Sequence, residues 1–496
     1  MKQAHVRALT LLFLGALLMQ AAWVLAIPPF RGIDEVDHAY RAAAVANGQW
    51  FPPTAAENGR GHLVVVPESI ALAAGPECRA LKYMGRDNCT PVQKLENDDV
   101  AIASAAARYH PAFYWIVGTP SQLFDGAKAL YAMRIAAALL CAGFIAFSSG
   151  ILFLWARTRW PFVSMLVALT PVTIYSTAMP APNGIELCAS IALWVAMLGL
   201  TRPHISTTTE RALLWAALPS ALVLATVRSF GPVWLGLIVL TVIALLGVKK
   251  TVSLVKRQRG PVSIIATLVA AATVAGASWT ILAGANELEQ QLGLEDPWAN
   301  TLKHAPLWFF QSIAAFPTRN EQAPAVLYAA FFVVLLAMVS LGYWMTGRKL
   351  RSGIAGTLFV ALLVPVLATV TTYSQVGPIW QGRYGLPYAF GVILLAGLAL
   401  EQSRVEHRLV GPALVSACLA MSVAHVVGVT NVLVLERANS PSAGGPDWLM
   451  PAPWLVALLM ALGWLAWGLA LRQQSRLLLT GAVEAPEVRE EHSVSA

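Results

Sequence analysis

Charge is what this sequence has least of. Asp, Glu, Lys and Arg make up 12% of its 496 residues, where a soluble domain carries about a quarter. So few charges cannot solvate the surface of a water-soluble chain of this length, and soluble fold classes drop out. Acids are scarcer than bases, 26 against 34, and the formal net charge is +8. The bases sit in short loops between apolar runs rather than in one continuous patch, so the excess does not point to nucleic acid. Bases so placed set the orientation of a membrane chain and face anionic headgroups. Strict apolar–polar alternation is missing from the long runs, which excludes a transmembrane barrel. Internal repeats are also missing, which counts against transporters built from two related halves.

What is present is a series of apolar runs of roughly 20 residues, each long enough to cross about 30 Å of hydrocarbon. In lipid every backbone polar group must pair internally, so these runs are helices. Spans are expected over 8–27, 127–156, 162–179, 184–200, 212–226, 233–248, 261–282, 324–345, 354–373, 386–400, 409–434 and 451–471. The fold class is therefore all-α, a polytopic membrane protein with about twelve transmembrane helices and a large first extracytoplasmic loop, 28–126. The first run, with Lys2 and Arg7 before it, exceeds the 7–15 residues of a signal-peptide core and reads as an uncleaved helix.

Arg157 and Arg159, then Lys249, Lys250, Lys256, Arg257 and Arg259, then Arg348, Lys349 and Arg351 form three basic loops. Placing them in the cytoplasm puts both termini there. A second outside loop, 283–323, is acidic (Glu287, Glu289, Glu295, Asp296). The apolar pieces His110–Phe124 and Pro306–Phe316 are too short to cross and read as helices at the outer surface. The tail from Arg472 is polar and expected to be disordered. Cys141, Cys188 and Cys418 fall inside spans as apolar packers. Cys78 and Cys89 share the first outside loop, an oxidising place, where a disulfide is expected in preference to two free thiols.

Four constellations could carry chemistry. Arg31-Gly-Ile-Asp34-Glu35-Val-Asp37-His38-Ala-Tyr40-Arg41 follows the first span, and at helical spacing Asp34, Asp37 and His38 share a face. Such a face can hold a base or a divalent ion; the competing reading is that Asp34 only caps a surface helix. Trp380-Gln381-Gly382-Arg383-Tyr384 puts an arginine fork beside open backbone, suited to a phosphate, or else to snorkelling toward headgroups. Arg134, inside a span, needs a partner or a cavity, and Arg228 sits in the tight turn Val227–Pro232. Pro180-Ala-Pro-Asn183-Gly-Ile-Glu186 brings an acid to the outer end of a span, or to a helix start where an acid suits the dipole.

A long first outside loop that opens with Asp34-Glu35 and closes with His110-Pro-Ala-Phe-Tyr-Trp115, followed by Arg134, resembles the GT-C superfamily of membrane glycosyltransferases. The Gln381-Gly-Arg-Tyr384 motif resembles a bacterial branch known only as predicted membrane proteins of unknown function. The similarity runs from about Leu11 to Leu400. It implies a GT-C-like module over 1–400, C-terminal helices over 401–471 and a cytoplasmic tail over 472–496. It implies inverting transfer from a polyprenyl-phosphate-linked sugar to an envelope glycan or lipid acceptor, at the bacterial inner membrane. Asp34, with Glu35 adjacent, takes the place of the catalytic acid. Arg383, Arg134 and Arg228 are the candidate phosphate binders, and His38, His110, Gln381 and Tyr384 the candidate substrate contacts. A divalent ion would be held by Asp34, Glu35 or His38. Relatives often carry a second Asp after a Pro in the next outside loop, where this chain has Asn183, a departure that counts against a role for that loop in ion binding or acid–base work. The alternatives are a transporter or lipid flippase, or a non-catalytic envelope scaffold.

Overall fold

A computed structural model describes residues 2–52, 54–284, 296–316, 323–377, 380–403 and 407–483. Each of the twelve expected spans lies on a helix or a bent pair of helices. Among the described residues nine helices are long and apolar enough to cross a membrane, or up to eleven if each of two bent pairs is one span. The expected span 212–226 falls outside that count. Its helix, Thr207–Thr226, begins with three threonines, Glu210 and Arg211, and carries Pro219 inside.

The expected span 162–179 is not one rod. Trp160–Ala168 and Pro171–Thr177 meet at 70°. Pro171 lacks an N–H and cannot continue the preceding helix, and Thr170 caps the new one by accepting from the Thr173 N–H. The break has a consequence: the Tyr175 hydroxyl accepts from the Ile33 N–H at 2.9 Å, pinning the segment beside Asp34.

The first loop departs from an all-helical picture. Strands His62–Pro67, Gln93–Lys94 and Asp99–Ser104 form an antiparallel sheet with the last strand in the middle, His62 opposite Ser104. The run Leu63-Val-Val-Val66 is short, contains three β-branched valines and lies between Gly61 and Pro67, which favours a strand. Cys78 and Cys89 are disulfide-bonded, with Cα atoms 5.3 Å apart. The short surface helix expected over 110–124 is Pro111–Gly118 followed by a 3-10 turn, and the 306–316 piece is the second half of Pro297–Ile313. The acids Glu287, Glu289 and Glu295 lie outside the described residues.

At the C-terminus the tail does not lose structure at Arg472. Helix Pro453–Val483 runs on through Leu477-Leu-Leu479, apolar residues that still suit a helix, and residues 484–496 lie outside the described part. The Arg157, Arg202 and Lys249–Arg259 loops gather at one end of the bundle. There Arg202 pairs with Glu401 at 3.6 Å, the Arg157 N–H donates to Glu401, and Lys349 Nζ donates to the Leu246 carbonyl at 3.4 Å. Asp34, Arg228 and Arg383 lie at the other end.

Candidate functional site

The segment after the first span is clamped by a buried ion pair. Arg134 Nε donates to Glu35 Oε1 at 2.6 Å and Nη2 to Oε2 at 2.7 Å. Its other three N–H groups donate to the Val24, Ile27 and Pro28 carbonyls at 2.8–2.9 Å. A guanidinium has five N–H donors, so all are used. Glu35 Oε2 also accepts from the Gly32 N–H at 2.9 Å. Both side chains are 0% exposed. Arg134 thus satisfies carbonyls that the end of helix Lys2–Ala26 leaves unpaired and ties them to the turn that carries Asp34. Neither Glu35 nor Arg134 faces the cavity described next.

Asp34 takes the opposite course. Its backbone is left-handed, φ 55° and ψ 17°, a region Asp tolerates better than most residues. Its side chain makes no capping hydrogen bond to helix Glu35–Ala46, so the capping reading fails. Oδ2 instead accepts from Arg383 Nη2 at 3.2 Å, across 349 positions of sequence. Arg383 is placed by the first turn of helix Gly382–Gln402. Gly382 donates its N–H to Gln311 Oε1 at 3.0 Å, and a Cβ there would run into the Trp308 carbonyl. Glycine at that position is therefore a packing requirement.

Asp34, Asp37, His38, Gln381 and Tyr384 line one cavity of about 580 Å³. Arg31, Arg60, Lys82, Tyr83 and Tyr109 complete its wall from the first loop. Gln381 Oε1 is buried there without a hydrogen-bond partner among the described residues. Tyr384 is flanked by two guanidiniums, Arg228 at 4.6 Å and Arg383 at 5.1 Å from its ring centre. Arg228 is anchored by Glu186 at 3.2 Å, so Glu186 reaches an arginine rather than this cavity. His110 is elsewhere. It accepts from the Ala112 N–H as a helix cap, and with Arg228, Tyr109 and Trp279 it lines a neighbouring cavity of about 180 Å³. On the far side of Gly382 an apolar groove of about 270 Å³ runs past Trp308, Pro365, Trp380 and Phe390.

Two further groups in the main cavity have displaced titrations. Burial pushes the Asp37 carboxyl up to about 7, against the lowering effect of the Ala105 N–H bonded to Oδ1 at 2.7 Å. Burial pushes His38, whose Nδ1 lies 2.7 Å from the Tyr114 hydroxyl, down to about 4. The stabilities linked to them have opposite signs. That of Asp37 is present below its ordinary 3.8 and lost as pH rises to about 7. That of His38 is present above its ordinary 6.5 and lost as pH falls toward about 4. Asp37→Asn leaves only the His38 slope, so its melting temperature in detergent should rise between pH 4 and 6.5 relative to the parent. His38→Gln should show the reverse, falling toward pH 7. Parallel profiles for all three proteins would contradict this assignment.

A divalent ion finds no ready donor set. Glu35 is committed to Arg134, and among the described residues no three His, Cys, Asp or Glu groups converge. Asp37 lay in the segment singled out from the sequence, at i+3 from Asp34, but burial alone marks it as unusual. Arg31 belongs to that same segment, whereas Arg60, Lys82 and Tyr109 carried no local signal, because folding of the first loop brings them to the wall.

The architecture defines a multi-pass helical membrane protein with a charged cavity at one end of the bundle and an apolar groove beside it. A family model matches residues 17–392, and the chain belongs to that family, described as predicted membrane protein (DUF2142). ArnT from Cupriavidus metallidurans bound to undecaprenyl phosphate is similar in structure, at 13% identity over 92% of this chain and 76% of that one, with a TM-score of 0.45. Apo ArnT from the same organism matches at 14% identity over the same shares, with a TM-score of 0.41. No curated protein matches.

Proposed function

We propose that the protein is an inverting glycosyltransferase that takes a sugar from a polyprenyl phosphate and acts at the outer face of the bacterial inner membrane. The observation that carries this reading is the contact of Arg383 with Asp34, which lines the charged cavity, beside an apolar groove. A lipid-phosphate donor needs those three elements together: a base, a phosphate ligand and a bed for the chain. Asp34 accepts the proton of the acceptor hydroxyl as its oxygen bonds to the anomeric carbon. The bond from that carbon to the phosphate oxygen breaks on the opposite side, and polyprenyl phosphate leaves. Arg383 and Arg228, both close to the Tyr384 ring, stabilise the charge that grows on the leaving phosphate. Gln381, whose side-chain Oε1 has no partner among the described residues, accepts from a sugar hydroxyl. Glu35 and Arg134 hold the base in position. The acceptor is an envelope glycan or lipid, and no step is routed through a metal ion.

Arg383→Lys keeps the charge but replaces the planar fork with a point donor. It should raise the KM for polyprenyl-phosphate sugar and lower transfer by roughly tenfold or more, in line with the loss of one charge-assisted contact. The measurement is transfer of radiolabelled sugar in membranes carrying each variant. Parent-like kinetics would remove Arg383 from the phosphate site. The orientation is tested separately: an impermeant thiol reagent on intact cells should label a cysteine at Asn58 and spare one at Ser253. The opposite pattern would turn the cavity toward the cytoplasm and sink the proposed donor. The rival reading, a transporter or flippase, requires vectorial movement of lipid without chemistry, which the same assay distinguishes by its products.

A further inference from the structure

The opposite end of the bundle carries a second, differently built cavity. Helix Thr207–Thr226 connects the two ends, with Glu210 near its start and Arg228 just beyond its finish. At about 1.5 Å per residue such a helix spans roughly 30 Å. At Gly247, with φ 82° and ψ 150°, the chain turns through 105°, and helix Val248–Arg257 leaves the direction of Gly231–Leu246. Glycine adopts that backbone without strain.

The turned helix sorts its side chains by face. Val248, Val252 and Val255, at helical spacing, form an exposed apolar stripe. Lys250, Ser253 and Arg257 line a cavity of about 270 Å³, together with Arg202 and His204. Arg257 is oriented by Glu210 and Ser253, each at 2.6 Å, and Arg202 by Glu401 at 3.6 Å. Each arginine keeps further N–H donors. Lys250 has no partner among the described residues. Lys249 and Lys256 lie outside the cavity wall. A short basic helix with a valine stripe is the form that lies flat at a bilayer surface, stripe in the acyl region and cations at headgroup depth. Leu200, Ile205 and Leu246 add apolar wall to the cavity, which suits the base of a lipid rather than a free ion.

We propose that this cavity binds the phosphate headgroup of an anionic phospholipid from the leaflet facing the basic loops, with Lys250 as its main contact and Arg202 and Arg257 as oriented walls. The site is independent of the sugar-transfer reading. Three cations line it against a single carboxylate, Glu210, and charge-assisted N–H bonds are the strong contacts a phosphate makes.

The test uses the full chain purified in mild detergent, incubated with phosphatidylglycerol or phosphatidylcholine and read by native mass spectrometry. Phosphatidylglycerol should be retained about five- to tenfold more than phosphatidylcholine, and Lys250→Gln and Lys250→Glu should each lose about that factor. The paired variant Lys249→Gln, Lys256→Gln removes more charge but from outside the cavity, and should stay within about twofold of the parent. Equal loss in that pair would show diffuse attraction by a basic surface and overturn the site. Displacement of the lipid by inorganic phosphate at equal concentration would overturn the lipid as its occupant. Lys250→Gln decides the matter if Lys250→Glu does not give a monodisperse protein with the parent's melting temperature.

Discussion

Asp34→Asn is expected to lower sugar transfer by about 100-fold or more while the protein still folds and inserts. The substitution keeps the size of the side chain, and asparagine tolerates the left-handed backbone at φ 55° as aspartate does. No capping bond is lost, because the Asp34 side chain makes none. What is lost is the ability to take a proton and the charge paired with Arg383 at 3.2 Å. The two losses separate by experiment. Loss of the pair alone frees Arg383, which leaves donor binding intact or stronger, so KM for the donor should not rise. Loss of the base lowers kcat. Full transfer by Asp34→Asn would leave the mechanism without its proposed base, since Glu35 is spent on Arg134 and Asp37, the other carboxylate on that wall, already has one oxygen held by the Ala105 N–H. The transporter and scaffold readings would then gain.

The second large effect is on folding. Glu35→Gln and Arg134→Leu are each expected to cost about 3–5 kcal/mol, the range for removing one partner of a buried ion pair. Glu35→Gln leaves the Arg134 charge buried with only carbonyls to face. Arg134→Leu leaves a buried carboxylate and strips partners from the Val24, Ile27 and Pro28 carbonyls. Thermal unfolding in detergent and the yield of monodisperse protein measure both. The double replacement Glu35→Leu, Arg134→Leu removes both charges, and should be less damaging than the sum of the single changes. This pattern is what a clamp produces. If Glu35→Gln instead folds as well as the parent and has lost transfer, Glu35 is the base, and Asp34 is the residue that positions it.

Much of the membrane architecture was open to direct reading. The twelve apolar stretches became helices because lipid forbids unpaired backbone over a run of that length, a constraint that depends on composition alone. Where the reading fell short, a local feature competed with the average. Pro171 breaks the stretch 162–179 into two helices at 70°, and Gly247 turns the basic loop into a separate helix at 105°. The strands of the first loop were missed because their β-branched run is only a few residues long, and pairing with a segment some forty residues away is what makes it a sheet.

The candidate site divides in the same way. From the sequence by itself came the membrane class, the two segments that carry Asp34 and Arg383, and the pairing of Cys78 with Cys89, because each depends on residue type and on which side of a span it falls. Only the tertiary structure decided which of two adjacent acids faces the cavity. Asp34 and Glu35 are neighbours in the chain, but a left-handed turn at Asp34 sends one side chain to Arg383 and the other to Arg134. It likewise sent Arg134 inward and set Arg228 beside Tyr384. The reason is physical: a side chain's partner across 349 or 99 positions is set by how helices pack around it, and local spacing carries no information about that.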